Sequence, residues 1–225
     1  PVAEEAATLA LIGLADDLAI EALCHAMGTP YEVTGAVHLQ GPLAQRLGID
    51  DLGHPGRAAT LVRIEGFAKS VAYRVERISR ELAPFGELVV IRGEASKQLW
   101  AELQRLSVIA GRTDPLWRIS TAPRNGPKVV AAIRRYMDCR AFYDWSGGLI
   151  WLEVPSTADA GAADIRRVIA SHGGHATLIR AEATVRASVD VFQPVEQSLA
   201  DLSRGIKTVM DPGQILNPGR MYAGF

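Results

Sequence analysis

The sequence predicts an α+β fold built from two ferredoxin-like halves in tandem, with antiparallel sheets and helices mainly on one face. Strand-like and helix-like segments alternate in the order β-α-β-β-α-β, and this order occurs twice along the 225 residues. The two halves share this order but no sequence period. The predicted boundaries are 1–92 for the first half, 93–114 for a linker helix and loop, 115–193 for the second half, and 194–225 for a C-terminal helix and tail.

The first half has strands predicted at 8–14, 32–39, 59–65 and 87–91, with a Gly/Pro/Asp-rich loop at 41–56. A helix follows the capping candidates Asp16 and Asp17 and ends near Met27. A second helix spans 67–82, because apolar residues recur there at spacings of four, four, three and four.

The second half has strands predicted at 116–120, 141–145, 149–154 and 175–180, with helices at 127–137 and 159–171. The linker helix carries Leu99, Leu103 and Leu106 on one side. In the final helix Leu199, Leu202, Ile206 and Val209 follow Val195 at helical spacing, which predicts a buried apolar stripe.

Composition favours a soluble, intracellular globular protein. The chain is 48% hydrophobic with a net charge of −1, which gives no field for binding nucleic acid. Its two cysteines, Cys24 and Cys139, are far apart, which suits a reduced cytoplasmic compartment better than a disulfide framework. Because the chain begins with Pro1 and lacks a signal-like region, we expect a fragment of a longer protein.

Nucleotide and hydrolase signatures are missing from the sequence: there is no Gly-x-Gly-x-x-Gly after a strand, no phosphate loop and no Gly-x-Ser-x-Gly elbow. If a nucleotide cofactor is involved, most of its site lies elsewhere. His172 and His175 lie three residues apart around two glycines. Two histidines do not make a metal site, so either a glycine-capped turn or a substrate contact explains this segment.

Arg118 is the candidate anion-binding residue, since it lies in an apolar strand on the face opposite Trp117 and Ile119. Such a guanidinium requires an acidic partner or an anionic ligand. An internal salt bridge with Asp144 or Glu153 is the structural alternative, because buried charges are normally paired.

The C-terminal tail, 210–222, contains two Pro-Gly pairs that restrict its backbone. Asp211, Pro212 and Gly213 suffice to stop a helix. The second Pro-Gly pair, with Asn217 before it and Arg220 after it, exceeds that need and indicates a tail that docks onto another surface.

Four segments carry a resemblance to a known family: Trp-Arg-Ile-Ser at 117–120, Asp-Trp-Ser-Gly-Gly at 144–148, Gly-Gly-His-Ala-Thr at 173–177, and Asn-Pro-Gly-Arg-Met-Tyr at 217–222. In this order and spacing they resemble the C-terminal part of the FAD-binding glycolate oxidase subunits, within the vanillyl-alcohol-oxidase-like FAD-linked oxidases. The match runs through essentially the whole chain and is strongest after Trp117.

The resemblance implies that this chain is the cap over a flavin, and that an N-terminal FAD-binding domain holding most of the FAD site is absent from it. Glycolate or a related 2-hydroxy acid would give a hydride to the flavin, and an iron-sulfur subunit would carry the electrons toward the membrane. The tail would return to the flavin domain, with Asn217 and Arg220 near the isoalloxazine. Arg118 would bind the carboxylate of the acid, and His175 would accept or orient its hydroxyl proton.

One departure from the wider family concerns the run after His175. Catalytic members often continue with Gly-Asp-Gly-Asn and another His, which can hold a metal, whereas this chain has Ala176 and Thr177. Oxidation by a sister flavin subunit, with this subunit relaying electrons or supporting assembly, therefore stays open.

Two other interpretations stay open as well: a non-enzymatic tandem ferredoxin-like module that binds small molecules, and a structural subunit. The complex would be cytoplasmic, or peripheral at the inner face of the membrane through its partners. Removal of a flavin domain would expose apolar surface, so we expect the fragment to self-associate.

Overall fold

A computed structural model describes residues 3–47 and 56–222 of the chain. Its strands are β1 (Glu5–Ile12), β2 (Gly35–Leu39), β3 (Ala59–Gly66), β4 (Leu88–Arg92), β5 (Leu116–Ser120), β6 (Arg140–Asp144), β7 (Leu149–Glu153) and β8 (His175–Arg180). These strands form one antiparallel sheet in the order β4-β1-β3-β2-β6-β7-β5-β8.

Each half has the strand order of a ferredoxin-like unit. Numbered within its own half, each set of four strands runs 4-1-3-2 across the sheet, or its reverse. The predicted α+β class and the tandem halves are therefore confirmed, although the two halves share a single sheet. They join through β2 and β6, where His38 lies opposite Tyr143 and Leu39 opposite Phe142.

The helices are α1 (Asp16–Met27), α2 (Gly41–Ala44), α3 (Ala68–Leu82), α4 (Gly93–Gln104), α5 (Gly126–Ile133), α6 (Ala162–His172), α7 (Ala183–Ser188) and α8 (Gln197–Met210). The predicted loop at 41–56 is thus wrong at its start, where α2 and a 3-10 turn at Gln45–Leu47 occur; residues 48–55 lie outside the described part. The short helix α7 is an element that the sequence patterns did not predict. Among the described residues, none of the helices combines the length and the apolar character that a membrane span requires.

The sheet is covered differently on its two sides. On one side α1, α3, α5 and α6 pack on a continuous core that includes Trp117 and Ile119. On the other side a second core lies under α4 in the first half, where the Trp100 indole donates a hydrogen bond to Thr8 Oγ1 at 2.8 Å. Because strand side chains alternate, Arg118 faces the side opposite Trp117.

The predicted burial of the α8 stripe is wrong. Leu199 is 51% exposed, Leu202 61%, Ile206 58% and Val209 79%. The amphipathic pattern correctly predicts a helix with one apolar face, but the pattern does not say which surface covers that face. In the part of the chain described here, the stripe of α8 lies in solvent.

Candidate functional site

The register of the second half arranges its outward side chains in rows that cross the four strands. Directly paired residues of neighbouring strands share a face of the sheet. The middle row consists of Phe142, Trp151, Arg118 and Thr177, and the next row consists of Asp144, Leu149, Ser120 and His175. We call the side of the second half that carries these rows the open face, because Arg118, Trp151 and Thr177 are half-buried there and His175 is exposed.

Arg118 lies at the centre of the open face. Within residues 3–47 and 56–222 its guanidinium has no hydrogen bond or ion pair, so the predicted salt bridge with Asp144 or Glu153 is wrong. Asp144 uses Oδ1 to accept a hydrogen bond from the Trp145 backbone N–H at 2.7 Å. Burial raises the pKa of the Asp144 carboxyl, and that hydrogen bond only partly opposes the shift.

Glu153 is engaged by other arginines. Its buried carboxylate lies 3.1 Å from Arg46 Nη1, 3.2 Å from Arg112 Nε, 3.7 Å from Arg180 Nη2 and 4.0 Å from Arg140 Nη1. Arg112 also pairs with Asp114 at 2.6 Å. Four guanidinium groups against two carboxylates leave this end of the open face with a net charge of +2, one row away from Arg118.

His175 begins β8 and lies directly opposite Ser120. The preceding glycine explains how the strand reaches this position: Gly174 has φ of 119°, and a Cβ there would lie 2.2 Å from Ser120 O. Any larger residue would therefore displace β8 from β5 at this point. Gly173, at φ 78°, ends α6 with its N–H donating to Ile169 O, so the predicted glycine-capped turn is also correct.

The register brings Arg118 and His175 together. Arg118 pairs with Thr177, so His175 is its diagonal neighbour on the same face. Diagonal positions on adjacent strands are about 7–8 Å apart, which is a distance that a small molecule can bridge. The other histidine, His172, contacts Val168 O through Nδ1 at 2.9 Å within α6 and takes no part in this pair.

Trp151 belongs to the middle row but was not among the predicted site residues. Its indole N–H is buried and has no hydrogen-bond acceptor among the described residues. The two-residue alternation of β5 and β7 is the signal that could have placed it beside Arg118.

The predicted tail residues Asn217 and Arg220 are both exposed. The tail is fixed at its start, where Asp211 accepts hydrogen bonds from the backbone N–H groups of Ile215 and Leu216 and pairs with Lys207 at 2.9 Å. The Lys207 ammonium and these N–H groups lower the pKa of Asp211.

The end of the tail lies at the edge of β8. The Tyr222 hydroxyl donates to Gln193 O at 3.2 Å, and the Gln193 side-chain oxygen accepts a hydrogen bond from the N–H of Ala176, next to His175. The tail is therefore connected to the strand that carries His175, but the structure does not bring Asn217 or Arg220 into contact with Arg118.

A buried polar network joins the two halves, and the sequence patterns did not predict it. Asp16 accepts hydrogen bonds from Tyr143 at 2.7 Å and from Gln40 at 2.6 Å, and pairs with His38 at 3.2 Å. The other ring nitrogen of His38 contacts Thr60 Oγ1 at 2.9 Å. Burial disfavours the charge on Asp16, but the hydrogen bonds from His38 and Tyr143 outweigh it and lower its pKa.

This network fixes the seam between the halves and holds Tyr143 neutral, since burial raises the pKa of that phenol. No group of three or more His, Cys, Asp or Glu side chains in the described ranges is close enough to hold a metal ion.

Comparisons with known proteins identify relatives of the chain. No family model matches it. It is 31% identical over 166 residues to glycolate oxidase subunit GlcE of Escherichia coli, an alignment that covers 73% of this chain and 39% of that protein. The chain thus spans about two fifths of the length of this relative.

Two solved structures share the fold. The 4-ethylphenol oxidase of Gulosibacter chungangensis superposes with a TM-score of 0.62 at 18% identity, over 100% of this chain and 55% of that one. The p-cresol methylhydroxylase superposes with a TM-score of 0.64 at 14% identity, over 96% and 52%. These findings confirm the predicted resemblance: the chain is a relative of a glycolate oxidase subunit, and it has the fold of part of the 4-ethylphenol oxidase and of the p-cresol methylhydroxylase.

Proposed function

We propose that this chain is the substrate-binding cap of an FAD-dependent 2-hydroxy acid oxidase or dehydrogenase, with its open face over the flavin. The observation that carries the proposal is Arg118, a half-buried guanidinium without an ion pair among the described residues, next to an exposed imidazole at His175. A relative named as a glycolate oxidase subunit supports glycolate as the first acid to test.

The donors of the open face fit this assignment. The Arg118 guanidinium and the Trp151 indole N–H both lack an acceptor within the described residues. A guanidinium binds a carboxylate through two parallel hydrogen bonds, and an indole N–H can donate to a carboxylate or to a carbonyl of a flavin ring. The arginines around Glu153 carry more positive charge than the nearby carboxylates neutralise. The resulting positive potential beside Arg118 favours the approach of an anionic acid.

Each residue would have one task in the reaction. FAD, when bound, accepts a hydride from the carbon that carries the hydroxyl group. Arg118 would hold the carboxylate so that this carbon is oriented toward the flavin. His175 would accept the hydroxyl proton on a ring nitrogen, or orient it by a hydrogen bond, as the hydride leaves.

The tail and α8 would attach the cap to the rest of the protein. The exposed apolar stripe of α8 is typical of an interaction surface, and the tail with Asn217 and Arg220 follows it directly. We propose that both dock onto the flavin-binding part, which brings Asn217 and Arg220 near the isoalloxazine. Electrons would pass from there to an iron-sulfur partner and a sister flavin subunit.

The test is reduction of the flavin by glycolate in the full-length protein, followed anaerobically by loss of flavin absorbance. We expect Arg118→Met to raise the glycolate concentration for half-maximal reduction about 30- to 150-fold, because a charge-assisted hydrogen-bonded pair contributes about 2–3 kcal/mol. Arg118→Lys should recover part of this loss, since a lysine keeps the charge without the planar fork.

Arg135→Met is the matched control, because this arginine is exposed and follows α5 on the opposite side of the sheet. An Arg118→Met protein that glycolate reduces like the unmodified one would refute the proposed carboxylate site.

A further inference from the structure

A groove lies beside the open face, between α4 and the strands at the seam of the two halves. Its volume is about 660 Å³. Trp100 and Leu103 of α4 line it, together with the buried Phe142 of β6 and the exposed Trp145 that follows β6. Pockets of this size bury drug-sized molecules, and a two-carbon acid would fill only a small part of it.

The groove begins next to the proposed carboxylate site. Phe142 lines the groove and belongs to the same row as Arg118, from which only Trp151 separates it. Neighbouring strands lie about 4.8 Å apart, so Phe142 is about 10 Å from Arg118 across the sheet. Trp151 is half-buried and lies between the two positions, so its ring offers an aromatic surface that leads from Arg118 toward the groove.

The charges of the groove decide which end of an acid it can receive. Asp144 and Glu65 line it, and Arg63 is the cation among its described lining residues. Arg63 is already engaged, since it pairs with Glu65 at 3.0 Å and lies 4.8 Å from the centre of the Trp100 ring. A carboxylate is therefore disfavoured in the groove, whereas an apolar chain can lie against its rings.

The backbone at the edge of the groove is held in a costly conformation. Trp145, Ser146 and Gly147 are all left-handed, with φ of 49°, 56° and 98°. Each non-glycine residue in this region costs about 1 kcal/mol or more. Close packing against the start of α5 holds the turn in place. A Cβ added at Gly126 would lie only 2.5 Å from Gly147 O. The result is a Trp145 side chain that is 65% exposed at the edge of the groove.

We propose that the groove binds the side chain of the substrate, and that the preferred substrate is a 2-hydroxy acid with a bulky aromatic or aliphatic side chain. The inference rests on the proposed function and extends it. The carboxylate lies on Arg118, the side chain crosses Trp151 and enters the groove, and Trp145 closes over its end.

The experiment compares acids of increasing side-chain size on the flavin-loaded full-length protein. Anaerobic flavin reduction is measured with glycolate, lactate, 2-hydroxyoctanoate and 3-phenyllactate. Burial of a large apolar side chain contributes about 1.5–3 kcal/mol, so we expect kcat/KM to rise at least about tenfold from lactate to 3-phenyllactate.

Variants at Trp145 test whether the groove causes this preference. Trp145→Ala should reduce the ratio of kcat/KM for 3-phenyllactate to kcat/KM for glycolate about tenfold, while Trp145→Phe should retain most of the preference. Tyr136→Ala is the matched control, since Tyr136 is a similarly exposed aromatic residue outside the groove, and neither substrate should respond to it.

Binding gives a readout that does not depend on turnover. 3-Phenylpropionate, which lacks the hydroxyl group, should quench tryptophan fluorescence at lower concentration than propionate, and Trp145→Ala should abolish the difference. Flavin reduction without a preference for large acids would overturn the inference and leave the proposed function standing. Absence of flavin reduction by every acid would instead overturn the proposed function, and the inference with it.

Discussion

At the scale of single residues, the site depends on which charges are already paired. The sequence predicts correctly that Arg118 lies opposite Trp117 on its strand, because side chains alternate with a period of two. It could not predict that Glu153 would be engaged by Arg46, Arg112 and Arg180, which lie far away in the chain. Only long-range packing reveals that the Arg118 guanidinium has no acidic partner among the described residues.

The network around Asp16 makes the stability of the seam depend on pH. The folded-state pKa of Asp16 is lowered, so its stabilising contribution is present above the unfolded value of about 3.9 and is lost as pH falls through the folded pKa. We expect Asp16→Asn to lower the free energy of unfolding at pH 7 by about 1–3 kcal/mol, because His38 and Tyr143 lose a charged acceptor. Urea denaturation at pH 7 and at several values from about 4 down to 2 measures this.

The exposed neighbour Asp17 gives the matched control, and Asp17→Asn should change the unfolding free energy by less than about 0.5 kcal/mol. If the unfolding free energy of Asp16→Asn falls with decreasing pH as much as that of the unmodified chain, the charge of Asp16 is not the source of the pH dependence.

At the scale of elements, α4 and α8 have similar apolar patterns and opposite environments. Leu103 of α4 is buried in the core, whereas Leu202 of α8 is 61% exposed. Periodicity identified both helices, since it reports the shape of one face. It could not say that the face of α8 is uncovered in this chain, because burial depends on surfaces that the pattern does not contain.

This contrast gives a matched pair of substitutions. In this chain Leu103→Ala should lower the free energy of unfolding by about 2–5 kcal/mol, because it leaves a cavity. Leu202→Ala should change it by less than about 0.5 kcal/mol. Urea denaturation of both variants measures the difference. A large loss of stability with Leu202→Ala would show that α8 is packed within the chain.

The same stripe should make the chain self-associate. Leu202→Glu together with Ile206→Glu should shift the species seen by sedimentation toward the monomer, and should weaken flavin retention in the full-length protein. If the unmodified chain stays strictly monomeric at high concentration, that result would count against the proposal that another part of the protein packs on the apolar stripe of α8.

At the scale of the whole molecule, the two halves share a strand order but present different surfaces. In the first half α4 covers the side of the sheet that stays open in the second half, so only the second half presents Arg118 and His175. The order of elements predicted the two halves, but not their union through β2 and β6, because that pairing joins residues about 100 positions apart. The pairing of β2 with β6 places the groove beside the open face.

The proposal that this chain is the cap of a flavoprotein predicts that it holds only a minor part of the FAD site. The most direct measurement is a titration with FAD, followed by flavin fluorescence, of the 225-residue chain and of a version extended with its native preceding residues. We predict that only the extended protein binds FAD tightly. Tight binding by the 225-residue chain alone, or no binding by either protein, would contradict the assignment of this chain as a cap.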